Sequence, residues 1–366
     1  MTKNPLVVDP FAEIESTESD NKKEELVIDE QTLQEVEHKV EQDIPSNYIT
    51  INLPSNGRVE GIPSILHFRD YTGNDAVDLN VYDDDESLQA IVNVLKRMCY
   101  ENFDIGILPI PDVLYILYTL HFTFISPEIE KTIYLNEDLP EGDKEGELDY
   151  EENIETVTIP FSAIRATYLG KDENDKDLDE KVKFPITLTD TKTNDKVKLK
   201  LASLKDTLIA RNYCKAFFRE KFIEFADVRK KLSDIQNIKK KDVREAKLNE
   251  YLIQNEDEVN SYYAFMKEYA LTVAKFIQAM QIIAFNGEEI TDKEQKWDLY
   301  QNKISSDMWQ FYNIVTEKYQ FGLNESINVY SSILQKNVKR RVSFQFFDFL
   351  SFNRKKEDDR FNLSFD

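Results

Sequence analysis

The chain has 366 residues, 69 acidic against 46 basic side chains and a formal net charge of −23 at pH 7, a balance that argues against an electrostatic grip on nucleic-acid phosphates or anionic lipid. Its length gives room for two or three cores and excludes one small domain. Its two cysteines, Cys99 and Cys214, make no CxxC pair and imply neither a disulfide framework nor a zinc knuckle.

Residues 1–45 are crowded with Glu, Asp, Lys, Ser and Gln and hold a single aromatic residue, Phe11. They offer too little apolar surface to offset the entropy of ordering, so a disordered acidic arm is expected. The opening residues have no apolar stretch behind a basic start, and no secretory leader is expected. Within the arm, PLVVDPFAEI concentrates Leu6, Val7, Val8, Phe11 and Ile14. These are assigned as an interaction element, against the alternative of incidental apolar residues in a solvated terminus.

Ile49, Ile51 and Leu53 then alternate as in a strand with one buried face. Pro54, Ser55, Asn56 and Gly57 supply a tight turn, a second strand is expected over Ile65–Phe68, and Thr72 with Asp75 reads as a helix-opening box. Leu88, Ile91, Val92, Leu95, Met98 and Cys99 recur at helical spacing, and Pro109 and Pro111 restart the chain into a helix over DVLYILYTLHFTF. From about Ile129 to Lys200 the pattern turns to strands. The last two form a hairpin in which Phe184, Ile186 and Leu188 answer Val197, Leu199 and Leu201, and Pro185, which cannot donate to a ladder, marks an edge.

Ser203 and Asp206 open a long helix whose Leu204, Leu208, Cys214, Phe217, Phe218 and Phe225 form one apolar side. A lysine run near Lys239 marks a break, after which a helix through SYYAFMKEYALTVAKFIQAMQIIAF is expected to stop at Asn286 and Gly287. Thr291 and Glu294 cap a further helix carrying Trp297, Tyr300, Ile304, Met308, Phe311, Val315 and Tyr319. The final segment, VKRRVSFQFFDFLSF, is strand-like and rich in phenylalanine. Such residues either close a core or meet a partner. Because they lie after the last amphipathic helix and before a polar terminus, Phe346, Phe347, Phe349 and Phe352 are assigned to interaction.

The expected fold class is α+β, with small antiparallel strand units and a predominantly helical C-terminal half. The expected divisions are the arm at 1–45, an α+β body at 46–232, a helical region at 233–335, and a phenylalanine-rich strand segment with a polar tail at 336–366.

The residues that bear chemistry are few. The histidines are His38, His67 and His121, and a Cys99–His121 pair competes with the simpler reading of packed side chains. No glycine-rich phosphate cradle is present. The acidic stretch from Lys171 to Val182 fails the calcium-loop pattern, because Leu178 and Glu180 stand where the sharp turn wants glycine; a solvated charged loop is expected. Acid pairs suited to glycoside hydrolysis depend on separation in space, which spacing in sequence does not supply. No catalytic, metal or cofactor-binding residue is therefore assigned, and no cofactor is expected. The apolar runs are too short to span a membrane or, as at Lys267, Glu268 and Lys275, interrupted by charge.

The LPSNG turn after an alternating strand, then ILHFRDYTGND, CYENFDIGILPIPDVLYIL and FPITLTDTKTNDKVKLKLASLKD in that order, together resemble the baseplate hub assembly proteins of T-even-type contractile-tailed bacteriophages. Phe321 and Gly322 followed by FQFFDFLSF are similar to the family's closing order. Where members often carry cysteines this chain has Tyr330, Ser331 and Ser332, so a metal-stapled knuckle is not expected there. The resemblance runs over residues 48–352. It implies a non-enzymatic structural or assembly protein that binds other phage tail or baseplate proteins, in the virion or in the host cytoplasm during assembly. From the net charge no nucleic-acid partner is expected, and the oligomeric state is left open. The alternatives are a soluble chaperone or scaffold absent from the mature particle, and a hydrolase built on acidic residues.

Overall fold

In the computed structural model, which describes residues 44–79, 84–134, 154–172, 174–178, 182–236, 238, 240–333 and 335–350, the alternating apolar residues of the first segment become a hairpin. Strand β1 (Tyr48–Asn52) pairs antiparallel with β2 (Ile65–Arg69), with Ile51 opposite Leu66 and both buried. The intervening turn uses left-handed Asn56 and Gly57, with φ of 54° and 65°, which these two residue types tolerate best. The box ahead of helix α1 (Gly73–Leu79) is present: the Thr72 hydroxyl donates to Asp75 Oδ2 at 2.7 Å and the Thr72 amide does so at 2.9 Å. Buried Asp75 also receives Arg69 and Arg97, which hold its carboxyl well below the usual range against the cost of burial. Helices α2 (Asp84–Met98) and α3 (Ile110–Phe124) follow, and Pro111 sits in the first turn of α3, where its missing N–H has no partner to lose.

Strands β3 (Glu128–Tyr134) and β4 (Ile154–Pro160) form a second antiparallel pair. After the two-residue β5 (Ala166–Thr167), β6 (Ile186–Thr189) and β7 (Lys196–Leu199) make the expected hairpin, and β6 lies at the sheet edge next to Pro185. The capping box at Ser203 and Asp206 opens α4 (Leu204–Phe217). The single long helix expected from there is instead three, continuing as α5 (Arg219–Glu224) and α6 (Ala226–Gln236). The chain turns at Phe218 and Phe225, whose ψ angles of 17° and 14° leave the helical well, and both rings end up buried. Phe217, by contrast, is 71% exposed and does not belong to the apolar side.

Helix α7 (Lys241–Gln254) leads to the 25-residue α8 (Glu256–Met280). The helix does not run to Asn286: Ile282–Phe285 is strand β8, joined to β9 (Glu288–Glu289) by left-handed Asn286 and Gly287. This is the two-residue hairpin turn that Asn-Gly favours, and it completes a four-stranded sheet in the order β6-β7-β8-β9. The next expected helix also divides. Asp292, not Thr291, caps α9 (Lys293–Asn302), accepting from the amides of Glu294 and Gln295, and Ser305 caps α10 (Ser306–Lys318). Strand β10 (Gly322–Leu323) returns to pair with β5, and β11 (Ser326–Ser331) pairs with β12 (Lys336–Arg341).

The fold is thus α+β with small antiparallel sheets. Among the described residues most buried apolar side chains fall in three clusters, and these cut across the expected divisions at 232/233 and 335/336. Ile327, Val329, Val338, Val342, Phe344, Phe349 and Leu350 belong to the same core as Ile51, Leu66, Ile91 and Leu117. A second core joins the four-stranded sheet to α9 and α10, and a third is built from α4–α6 and α8. The phenylalanine-rich end is strand at its opening, where VKRR lies in β12, and belongs to the first core rather than standing apart from it. Residues Phe346–Phe349 form a 3-10 turn, Phe349 is fully buried with its ring 5.9 Å from that of Tyr118, and Phe346 is partly buried against the same core. The interaction reading is overturned for Phe349, whose ring fills a space within its own chain. Leu6, Val7, Val8, Phe11, Ile14 and Phe352, together with the side chain of Phe347, lie outside the described residues.

Candidate interaction surface

Cys99 and His121 take different partners. The Cys99 thiol lies 3.3 Å from Glu101 Oε2, and Glu101 also takes His67 Nδ1 and the His67 amide. Burial, reinforced by the Glu101 charge, pushes the Cys99 thiol up to about 12. That is the reverse of what a nucleophilic thiolate requires, and the three groups act as a tie between β2 and the end of α2. His121 instead faces the carbonyl of Phe349 at 3.1 Å, and burial lowers its pKa against the pull of the Phe349 and Glu128 carbonyls.

The acidic stretch folds on itself. Asp172 Oδ1 accepts the amides of Asn174 and Lys176, and Lys171 pairs with Asp175; residues 173 and 179–181 lie outside the described residues. Among the described residues no three His, Cys, Asp or Glu side chains gather as a metal site would require. Glu155, buried on β4, is clamped by the Ser331 hydroxyl at 2.5 Å and by the amide and hydroxyl of Ser332, each at 2.6 Å. Those donors hold its carboxyl below the usual range against burial and fasten β11 to β4. The serines that stand where the resembled family carries cysteines are thus structural.

A different kind of surface lies on the helices. Between α6 and α8, with α4 and α5 at its margin, runs an open groove of about 1000 Å³. Helix α8 lines it with Tyr262, Met266, Tyr269, Val273 and Ile277, spaced three and four apart on one helical face. An adjoining stripe of Tyr263, Ala270 and Ala274 is open to solvent. The groove-lining side of α8 carries Val259, Val273 and Met280 into the third core with Phe265 and Phe276 at its edge, and Tyr262, Met266, Tyr269 and Ile277 are packed against that core. The floor is rigid because its rings interlock: Phe222 meets both Phe265 and Tyr269 at 5.1 Å, and Phe225 stacks on Phe265 at 5.6 Å. Tyr263 is 52% exposed, and nearby Leu271 is 56% exposed.

The charged side chains lining this groove, among the described residues, are Arg211, Lys215 and Arg229. Burial raises the pKa of the Tyr262 hydroxyl while the neighbouring Arg229 lowers it. Each of these three cations also has an interaction within the folded chain. The sequence reading did not find the groove. The available signal was the width of the apolar band on α8, which covers more of the helix than one core contact needs. In comparisons with known proteins, no family model, curated protein or solved structure matches this chain.

Proposed function

We propose that this chain is a non-enzymatic structural or assembly protein of a contractile phage tail, working through protein–protein contacts in the baseplate hub. The groove between α6 and α8 is the observation that carries the binding part of this reading: half-buried tyrosine and methionine side chains on a rigid aromatic floor are the composition of a protein-contact surface. The ordered motifs from the LPSNG turn to the ASLKD capping segment support the baseplate assignment. The polar clusters at Cys99, Asp75 and Glu155 support it indirectly, since each is engaged in joining elements of the fold.

The test is mass spectrometry of purified virions and of tail-assembly intermediates from cells producing the tail. The expected result is that the chain sediments with baseplate components in the intermediates. Its recovery only as a free protein, with no tail component alongside, would refute the reading. Its presence in intermediates but not in virions would identify an assembly factor that leaves the particle.

A further inference from the structure

We infer that the cleft between the 3-10 turn Phe161–Ala163 and the β11–β12 hairpin binds a phosphate group, as the free ion or as the monoester of a small molecule. The cleft has a volume of about 400 Å³ and is lined by Ser162, Arg165, Asn324, Ser326, Asn328 and Lys339 over buried Ile327. Among the described residues its walls carry two cations and no carboxylate, in a chain whose net charge is −23. Neither cation is engaged in the fold: the side chains of Arg165 and Lys339 have no hydrogen-bond or ion-pair partner among the described residues. The same holds for the hydroxyls of Ser162 and Ser326 and for the carboxamide of Asn328. These donors are open to a ligand.

The backbone fixes where they stand. Lys339 lies directly opposite Asn328 in the hairpin, and Ser326, two residues from Asn328, shares their outward face. Asn324 accepts the Ser326 amide at 2.8 Å, while its own amide donates to the Arg165 carbonyl at 2.7 Å. Pairing of Ala166 with Leu323 secures the same junction. Two cations from different elements therefore border one cleft.

The donor set selects the ligand. Arg165 offers a planar fork, Lys339 a compact charge, and the hydroxyls and the carboxamide add single donors. A carboxylate has two oxygens and is satisfied by the arginine alone. A phosphate monoester presents three terminal oxygens and close to two negative charges above its second pKa of about 6. A nucleic-acid strand is disfavoured, because its other phosphates meet a chain of strongly negative net charge. The volume is that of a small-molecule site and leaves room for more than the bare ion.

The experiment is isothermal titration of the full-length chain with inorganic phosphate, ribose 5-phosphate, adenosine 5′-monophosphate, acetate and a short single-stranded oligonucleotide. The phosphate ligands should bind at least about fivefold more tightly than acetate, and more tightly at pH 7.5 than at pH 5.5, where a monoester has lost most of its second charge. Lys339→Gln and Arg165→Gln, changes at exposed and unpaired side chains, should each weaken binding by at least about fivefold with an unchanged thermal melt. Lys336→Gln removes the same charge from the same strand, outside the cleft and about a Debye length from Lys339, and should change binding less than about twofold.

Equal affinity for inorganic phosphate and the esters identifies the ion as the ligand, and tighter binding of an ester identifies the monoester. The inference is overturned if the phosphate ligands bind no more tightly than a Kd of about 10 mM, if acetate binds equally, or if Lys336→Gln costs as much as Lys339→Gln, which would show only diffuse surface charge. Tighter binding of the oligonucleotide than of the mononucleotide would also overturn it, in favour of a nucleic-acid surface. Failure of every ligand in a chain that still sediments with tail intermediates removes this site and leaves the proposed function standing.

Discussion

Replacing Asp112 by Asn should remove a loss of stability that the wild-type chain suffers as the pH rises. Asp112 is fully buried in the first turn of α3, where Oδ1 accepts the Ser55 amide at 2.8 Å. Its Oδ2 has no hydrogen-bond partner among the described residues. Burial lifts the carboxyl to about 7, although the Ser55 hydrogen bond pulls the other way. The positive end of α3 favours the carboxylate by about 1 kcal/mol at most in ordinary geometries, too little to offset desolvation. Below about pH 4 folded and unfolded chains both hold the proton and stability is at its full value. Between about 4 and 7 the unfolded chain releases the proton while the folded chain keeps it, and stability falls with rising pH; above about 7 the loss is complete. Its total is on the order of 4 kcal/mol, of which about 3 falls between pH 5 and pH 8.5. That is a large share of a typical stability of about 5–15 kcal/mol. Asn keeps the shape and the acceptor for Ser55 but cannot ionise. Urea denaturation of both proteins at the two pH values measures the effect, since other titrations cancel in the difference. Asp112→Asn should gain about 3 kcal/mol relative to wild type on going from pH 5 to pH 8.5. Parallel pH dependences, differing by less than about 1 kcal/mol, would show that the carboxyl is already ionised in the folded chain and would refute the reasoning.

Phe349→Ala should destabilise the isolated chain by about 3–5 kcal/mol in urea denaturation, because the ring is fully enclosed by Tyr118, His121 and Phe344; a change below about 1 kcal/mol would return Phe349 to the surface. Ser331→Ala should cost about 1–3 kcal/mol by depriving buried Glu155 of a donor. Because Glu155 is depressed by its donors, the stability it contributes is lost as the pH falls through its folded pKa, and the acid limb of the stability curve should be shallower in the variant. Cys99 and Cys214, both buried with thiols raised to about 12 and about 11, should not react with a disulfide reagent at pH 8 until the chain is unfolded in urea. Rapid titration of one thiol in the native protein would contradict their burial.

The features legible in the sequence are those whose physics closes within a few residues. Thr72 with Asp75 and Ser203 with Asp206 are recognisable because each box satisfies its own amides three residues away. The LPSNG turn and the alternation around Ile51 are legible for the same reason. Pro185 marks an edge because the constraint lies in its own ring. The groove was only partly legible: the wide apolar band on α8 is written in the sequence, but the cations at its rim come from α4 and α6, and only packing brings Arg211 and Arg229 alongside Tyr262.

Tertiary structure decided wherever two local states are close in energy and a distant partner selects between them. IIAF continues a helical pattern as well as it makes a strand, and it became a strand because β7 offers Val197 opposite Phe285 and Leu199 opposite Ile282. Cys99 found Glu101 rather than His121, and Phe349 found Tyr118 and His121 from more than two hundred residues away. Spacing along the chain states which faces are apolar; it does not state what will cover them, because hydrophobic burial is non-directional and the choice among possible partners is made by shape and backbone pairing once the elements meet.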